Sequence, residues 1–115
     1  MTAAIEALKT VTTGTITTML LKKGIRRCWM AGAMPFGKPG TRVVGPAFTL
    51  RFVPVREDLA TPESWSKPIS TRAAIEDMPE GCVVVADAMG VTSAGIFGDI
   101  LCMRMVKRGV AGLVT

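Results

Sequence analysis

The stretch that decides the fold is "CVVVADAMGVTSAGIFGDILCMRMVKRGVAGLV", residues 82–114. It opens with a β-branched run at 82–88, which is typical of a strand buried on both faces. A glycine-rich loop follows, and then residues 100–108 space their apolar side chains as a helix does, with Gly109 as the stop signal. Residues 110–114 predict a further strand, so the stretch is predicted to form a strand, a loop, a helix and a strand.

The same alternation continues toward the N-terminus. Residues 69–78 fit a helix with a Ser or Thr cap. Before it, Phe48, Leu50 and Phe52 occupy every second position, the pattern of a half-buried strand. Pro46 cannot donate a ladder hydrogen bond and therefore indicates a sheet edge or a bulge. The order helix, strand, helix, strand favours parallel pairing through right-handed crossovers, and the predicted fold class is α/β.

The N-terminal part of the chain predicts two helices, over residues 3–11 and 12–24, the second with threonines at its start and lysines in its last turn. Residues 35–40 are rich in proline and glycine and predict a turn. Residues 56–68 are polar and contain prolines, so we expect a surface loop there, with Trp65 as its anchor.

Length and composition indicate one globular domain, since the chain has 115 residues with 49% hydrophobic and 20% charged residues. No apolar run reaches the about eighteen residues of a membrane helix, and the N-terminus lacks the pattern of a signal peptide, so we expect a cytoplasmic protein. The last strand stops at Thr115 without a turn or a closing helix. We therefore expect residues 1–115 to be a single domain that is incomplete at its C-terminal end.

The absence of histidine narrows the chemistry, because Ser-His-Asp and Cys-His nucleophile systems and imidazole metal ligands are excluded in this stretch. Any metal must be held by oxygen, which favours Mg²⁺, Mn²⁺ or Ca²⁺. The chain has an odd number of cysteines, Cys28, Cys82 and Cys102, and no C-x-x-C pair. We expect them to be buried, reduced thiols.

The net charge of +5 raises the question of a nucleic-acid partner. The basic clusters are small, at 22–27 and 107–108, and few aromatic residues are available to stack on bases. We interpret them as solvated helix ends and predict neither a nucleic-acid nor a membrane partner. Arg104, Lys107 and Arg108 share one helix face, which predicts a solvated stripe.

Two aspartates are candidate site residues, and each has two interpretations. Asp99 precedes the helix at Ile100, where it is predicted to be the N-cap. A glycine-rich loop that leads into a helix N-terminus also binds anions, so a substrate carboxylate could lie on the amides of Ile100 and Leu101. Asp87 ends the buried strand, where open α/β sheets place ligand sites but where any strand also meets water. The loop matches no nucleotide-binding motif.

Three blocks of sequence resemble the RraA-like family in order and spacing: "VVGPAFTLRF" (43–52), "MPEGCVVVADAMG" (78–90) and "SAGIFGDILCMRMVKRGVAGLVT" (93–115). That family includes class II 4-hydroxy-4-methyl-2-oxoglutarate aldolases, oxaloacetate decarboxylases and the regulator of ribonuclease E activity. The similarity runs from about Thr15 to the end of the chain, and its most specific part is the G-x-x-G-D loop. It implies a swivelling β/β/α-type fold and a homotrimer or dimer of trimers.

The resemblance also implies a site. The family's signature is an aspartate, twenty intervening residues and then an Arg-Asp pair; Asp99 matches the first aspartate, and sixteen residues follow it here. The Arg-Asp pair would therefore fall beyond Thr115. By the same resemblance Asp99 is catalytic and contacts Mg²⁺ or Mn²⁺ in the outer shell, through water. The implied substrate-binding residues are Gly95, Gly98, Ile100 and Leu101, the last two holding the carboxylate of pyruvate or oxaloacetate through their amides.

The expected function is that of a divalent-metal-dependent carbon–carbon lyase acting on small oxo acids. Retro-aldol cleavage and oxaloacetate decarboxylation both pass through a pyruvate enolate, which a cation with oxygen ligands stabilises without histidine. The alternatives are a non-catalytic regulator that binds ribonuclease E-like partners and an inactive truncated product. Because a key ligand is missing from residues 1–115, we expect this chain alone to have no useful metal site and to be inactive.

Overall fold

The computed structural model describes residues 2–115, which form two compact units divided between Val44 and Gly45. The helices and strands are α1 (Ala3–Leu8), α2 (Thr13–Lys22), β1 (Ala47–Arg51), α3 (Thr71–Asp77), β2 (Val83–Asp87), α4 (Asp99–Lys107) and β3 (Gly112–Val114). Each predicted helix and strand is present within two or three residues of its predicted bounds. Between residues 2 and 115, no helix combines the length and the apolar character that crossing a bilayer requires.

The first unit contains α1 and α2. The Thr12 hydroxyl caps α2 by accepting a hydrogen bond from the Thr15 N–H at 3.2 Å. The helix ends where Gly24 takes a φ of +84°, a conformation that favours glycine. The Arg42 guanidinium donates to the Val11 carbonyl and so ties the end of this unit to the junction between the two helices. Residues 25–44 form neither helix nor strand.

The second unit is built on a parallel sheet of order β1-β2-β3. The crossover from β1 to β2 contains α3, and the crossover from β2 to β3 contains α4, as the alternating pattern predicted. On β2, Val84 and Ala86 are buried on one face. Val83 and Val85 on the other face are only half-buried, so the prediction that this strand is covered on both faces is wrong for the residues that the structure describes.

The core lies between β2 and its two helices. Ile75 of α3 and Met105 of α4 pack with Met78, Cys82 and Val84. Each buried aliphatic side chain contributes about 1.5–3 kcal/mol relative to exposure, so this cluster is the main stabilising contact of the unit. An edge-to-face contact between the rings of Phe52 and Phe97, with centroids 5.7 Å apart, joins the end of β1 to the loop before α4.

The cysteine and tryptophan predictions are met only in part. All three cysteines are free thiols, but only Cys82 is buried, and Cys28 and Cys102 are half-buried. The loop at 56–68 contains a short 3-10 helix, Pro62–Ser66. Trp65 in this helix is 60% exposed and therefore does not anchor the loop in the core. Instead the guanidinium carbon of Arg72 lies 5.7 Å from the centroid of the Trp65 ring, a cation–π contact at the surface.

One glycine is required by a close approach of two backbone segments. A Cβ atom on Gly45 would lie 2.0 Å from the Gly81 carbonyl oxygen. Moving that carbonyl would disturb two backbone hydrogen bonds beside it. The Gly81 N–H donates to the Gly109 carbonyl at 2.8 Å, and the Val83 N–H donates to the Pro46 carbonyl at 2.8 Å. Gly45 therefore permits β1 to start beside β2.

We predict that Gly45→Ala lowers the free energy of unfolding by about 2–3 kcal/mol, because the new methyl group overlaps fixed backbone. Gly14→Ala is the matched control: a Cβ there meets nothing closer than 3.8 Å, and position 14 lies inside α2. We expect the control to be neutral or slightly stabilising. Urea unfolding followed by circular dichroism measures both, and equal midpoints for the two variants would contradict the packing argument.

Candidate functional site

Asp99 lies at the N-terminus of α4, which begins one residue earlier than predicted. Gly98 is the N-cap, with extended backbone at ψ 176°, and Asp99 is the first helical residue. The Oδ1 atom of Asp99 accepts a hydrogen bond from the Ile100 N–H at 2.8 Å. The predicted N-cap role of Asp99 is thus wrong by one residue, but its carboxylate still faces the positive end of the helix dipole.

The amides of Ile100 and Leu101 belong to the first turn of α4, where N–H groups have no partner within the helix. The Ile100 side chain is 79% exposed, and Leu101 packs against the core. Because Asp99 already accepts from the Ile100 N–H, an incoming carboxylate must compete with the Asp99 carboxylate for that donor. The two negative charges would also repel each other across the same helix end.

The two glycines of the G-x-x-G-D loop are not required by backbone conformation. Neither Gly95 nor Gly98 has a positive φ, and a Cβ on either would meet nothing within 4 Å. The space beside them is therefore open. Their part in substrate binding stays a prediction. The turn that starts this loop instead uses Met89 and Gly90, with φ of +53° and +74°.

A groove with a volume of about 760 Å³ runs alongside the N-terminus of α4. Its floor includes Ile75 and Leu101, and its walls come from α3, α4 and the 3-10 helix. The charged and aromatic residues that line it are Trp65, Lys67, Arg72, Glu76 and Arg104. Three cations against one carboxylate make the groove suitable for an anionic ligand with an apolar part.

Asp87 is held by local contacts. Its Oδ2 accepts from the Arg51 Nε at 3.0 Å, and its Oδ1 accepts from the Met89 N–H at 2.8 Å. The Asp87 carbonyl also accepts from the Phe52 N–H at 2.8 Å. Both carboxylate oxygens are thus engaged in fixing the ends of β1 and β2, which favours the structural interpretation of Asp87 over a ligand role.

The acidic side chains near Asp87 and Asp99 do not form a group of metal ligands. Within residues 2–115, no group of three His, Cys, Asp or Glu side chains converges in a geometry that could hold one. Mg²⁺ and Mn²⁺ prefer about six oxygen ligands, several of them water. Asp99 has one carboxylate oxygen outside its bond to Ile100, which fits a contact through water. The described residues therefore suit the outer shell of a cation and do not supply its inner shell.

A cluster of charged side chains that the sequence did not predict joins α3 to α4. Arg104 pairs with Glu76 in a two-pronged arrangement, Nε to Oε1 at 2.7 Å and Nη2 to Oε2 at 2.7 Å. The Arg108 Nη2 donates to the Glu76 and Met78 carbonyls, at 2.5 and 3.0 Å. The predicted solvated stripe is confirmed for Arg104, which is exposed although it is paired with Glu76. It is wrong for Arg108, which is half-buried and binds carbonyl groups at the C-terminal end of α3. Lys107 is exposed, as predicted.

This cluster shifts two pKa values. The hydrogen bonds from Arg104 lower the pKa of Glu76, and the same bonds raise the pKa of Arg104. Helix periodicity could not reveal the pair, because Glu76 precedes Arg104 by 28 residues. The cluster holds α4 against α3 and so fixes one wall of the groove.

Comparison with known protein families identifies the family of this chain. A profile of the RraA-like family, described as Aldolase/RraA, matches residues 13–115. The chain belongs to the RraA-like family. No curated protein matches it significantly.

A solved structure agrees with this assignment. The chain is similar to RraAS2 of Streptomyces coelicolor, whose crystal structure is described as that of an unusual member of the RNase ES inhibitor RraA protein family. The two are 34% identical, with a TM-score of 0.78, over 95% of this chain and 50% of RraAS2. The chain thus spans about half the length of this relative. The match confirms the mixed helix and strand fold with its small parallel sheet.

We predict that Glu76→Gln lowers the melting temperature at pH 7 and has much less effect at pH 3. The folded-state pKa of Glu76 is depressed, so its stabilisation is complete above the pKa of an unfolded glutamate, about 4.3, and is lost as the pH falls through the folded value. Thermal unfolding at both pH values measures the difference.

Asp58→Asn is the matched control, since it breaks an exposed pair with Arg56, two residues away within one loop. We expect little change from the control at either pH. An equal loss of melting temperature for Glu76→Gln at pH 7 and pH 3 would show that the carboxylate charge is not what stabilises the α3–α4 contact.

Proposed function

We propose that the N-terminus of α4 is the carboxylate-binding part of a divalent-metal-dependent lyase site for small oxo acids. The observation that carries the proposal is Asp99 at the first position of α4, beside the amides of Ile100 and Leu101. Family membership supports it, because the RraA-like family is described by its aldolases. Retro-aldol cleavage and oxaloacetate decarboxylation are the two candidate reactions.

The protein groups have separate tasks in this proposal. The amides of Ile100 and Leu101 bind the substrate carboxylate, helped by the α4 dipole. Asp99 would accept a hydrogen bond from a water molecule bound to the cation and so orient that water. When bound, Mg²⁺ or Mn²⁺ supplies Lewis-acid stabilisation of the developing enolate charge. Asp99 is therefore the residue that couples cation binding to substrate binding.

The groove offers space for the rest of a substrate. Lys67 and Arg72 line it together with Ile100 and Leu101. A dicarboxylic oxo acid such as oxaloacetate has a second carboxylate, which a guanidinium binds strongly through paired hydrogen bonds. The apolar floor at Ile75 excludes water from one side of the ligand. These lining residues support a dicarboxylic rather than a monocarboxylic oxo acid as the substrate.

Three further features belong to the proposal through the family alone. They are a single RraA-like domain over residues 1–115, a homotrimer or dimer of trimers, and a cytoplasmic location. An Arg-Asp pair at the family spacing would complete the inner metal shell.

We predict that Asp99→Ala has opposite effects on turnover and on metal-free binding. In the protein as encoded by its natural gene, Mg²⁺- or Mn²⁺-dependent decarboxylation of oxaloacetate should fall at least about tenfold, because the outer-shell contact is lost. Without metal, oxalate should bind the 115-residue chain more tightly in the variant, because the Ile100 N–H is released and a negative charge is removed. Amide shifts of Ile100 and Leu101 in NMR titrations report the binding.

Asp58→Asn is again the control, since it removes one negative charge from a loop outside α4. It should change neither turnover nor oxalate binding. Unchanged turnover in Asp99→Ala would refute the role of Asp99 in the reaction. Oxalate shifts that avoid Ile100 and Leu101 would refute the proposed carboxylate site, whatever the turnover.

A second candidate function is that of a non-catalytic regulator of a ribonuclease E-like enzyme. The observation that favours it is the description of RraAS2 as a member of a family of RNase ES inhibitors. The test is the rate of RNA cleavage by ribonuclease ES at rising concentrations of this protein, with Mg²⁺ constant. Inhibition of RNA cleavage that persists in the Asp99→Ala variant would support the regulator. If neither inhibition nor lyase turnover is found, the third alternative, an inactive product, is supported.

A further inference from the structure

Positive charge is concentrated in the first unit of the chain. Residues 1–44 contain seven Lys or Arg and one acidic residue, Glu6, a net charge of +6. Residues 45–115 contain seven Lys or Arg and eight Asp or Glu, a net charge of −1, and the two values give the +5 of the whole chain. From residue 7 to residue 56 there is no carboxylate side chain at all. The first unit therefore has a strong positive electrostatic potential.

The same unit exposes large apolar side chains in one short run. Trp29, Met30 and Met34 are 66%, 59% and 83% exposed, and Phe36 is fully exposed. They lie in a stretch without helix or strand. Exposed basic residues flank them on both sides: Lys22, Lys23, Arg26, Arg27 and Lys38. We call residues 22–38 the basic-apolar segment.

We infer that the basic-apolar segment is a docking surface for an acidic protein that presents an apolar pocket among its carboxylates. Trp, Phe, Met and Arg are the residue types enriched at the buried centres of protein interfaces, and Trp and Arg dominate their binding energy. Two of the four exposed apolar residues are methionines, whose flexible side chains adapt to an irregular protein surface. The uncompensated positive charge favours a partner of opposite sign.

The composition favours a protein over other polyanions. Single-stranded nucleic acid is bound by successive aromatic side chains, and the segment has only Trp29 and Phe36, seven positions apart. Membrane-surface segments are usually amphipathic helices, whereas this segment is irregular. The inference involves other residues than the lyase site and does not depend on it.

The test uses the Trp65→Phe variant of the full 115-residue chain, which leaves Trp29 as the reporter because the chain has two Trp and no Tyr. Two synthetic peptides of equal negative charge are the probes, one of glutamate with interspersed leucine and phenylalanine and one of glutamate alone. We expect saturable binding of the first, with a blue shift of Trp29 emission as its ring is buried. Binding of the glutamate peptide should be at least tenfold weaker.

Matched variants separate charge from packing. Arg26→Glu combined with Arg27→Glu should weaken binding of the mixed peptide more than tenfold, as should Phe36→Ser. These positions lie outside helices and strands, and circular dichroism checks that the fold is kept. Lys107→Glu, on α4, reverses the same kind of charge in the second unit and should leave binding within twofold.

Several results would overturn the inference. Equal binding of the two peptides would show that the apolar residues are not used. Tighter binding of an oligothymidylate or of phosphatidylserine vesicles than of the mixed peptide would assign the segment to nucleic acid or lipid. Sedimentation that shows self-association with Trp29 already buried would assign it to a second copy of this chain.

Discussion

The central position of β2 determines the arrangement of the second unit. Because β1 and β3 both pair with β2 in parallel, each connection must return along the sheet, and each does so through a helix. Both crossovers proceed in the same direction across the sheet, so right-handedness places α3 and α4 on the same face. Their N-termini then lie at the carboxyl edge of the sheet, where α/β proteins bind ligands. The position of Asp99 is a consequence of this topology.

The pairing of α3 with α4 depends on charge as well as on apolar packing. Ile75 and Met105 meet in the core, whereas Glu76 and Arg104 meet at the surface. Arg108 adds donors to carbonyl groups that α3 leaves without helical partners at its C-terminal end. Exposed pairs contribute modestly to stability, but a two-pronged pair fixes orientation. The cluster thus sets the angle at which α4 presents its first turn.

The sequence predicted what depends on local pattern and missed what depends on distant contacts. β2 and α4 follow from a β-branched run and a 3.6-residue period, and Gly109 ends α4 with a φ of +75° as expected. The family followed from three short blocks. The Glu76–Arg104 pair spans two elements, and no periodicity within one element reveals it. The N-cap of α4 is Gly98 and not Asp99, and the Asp99 carboxylate accepts from the next amide along the chain.

That small shift changes how the site at α4 works. As an N-cap, Asp99 would accept from the N–H of Leu101 or Cys102 and leave that of Ile100 to a ligand. At the first helical position it competes for the Ile100 N–H itself. An anion approaching the Ile100 N–H meets a carboxylate bonded at 2.8 Å to the same donor. A cation beside Asp99 would remove this conflict, because it would compensate the negative charge of the carboxylate. In the proposed lyase, substrate binding would therefore be coupled to the cation, and small acids would bind more weakly without metal than with it.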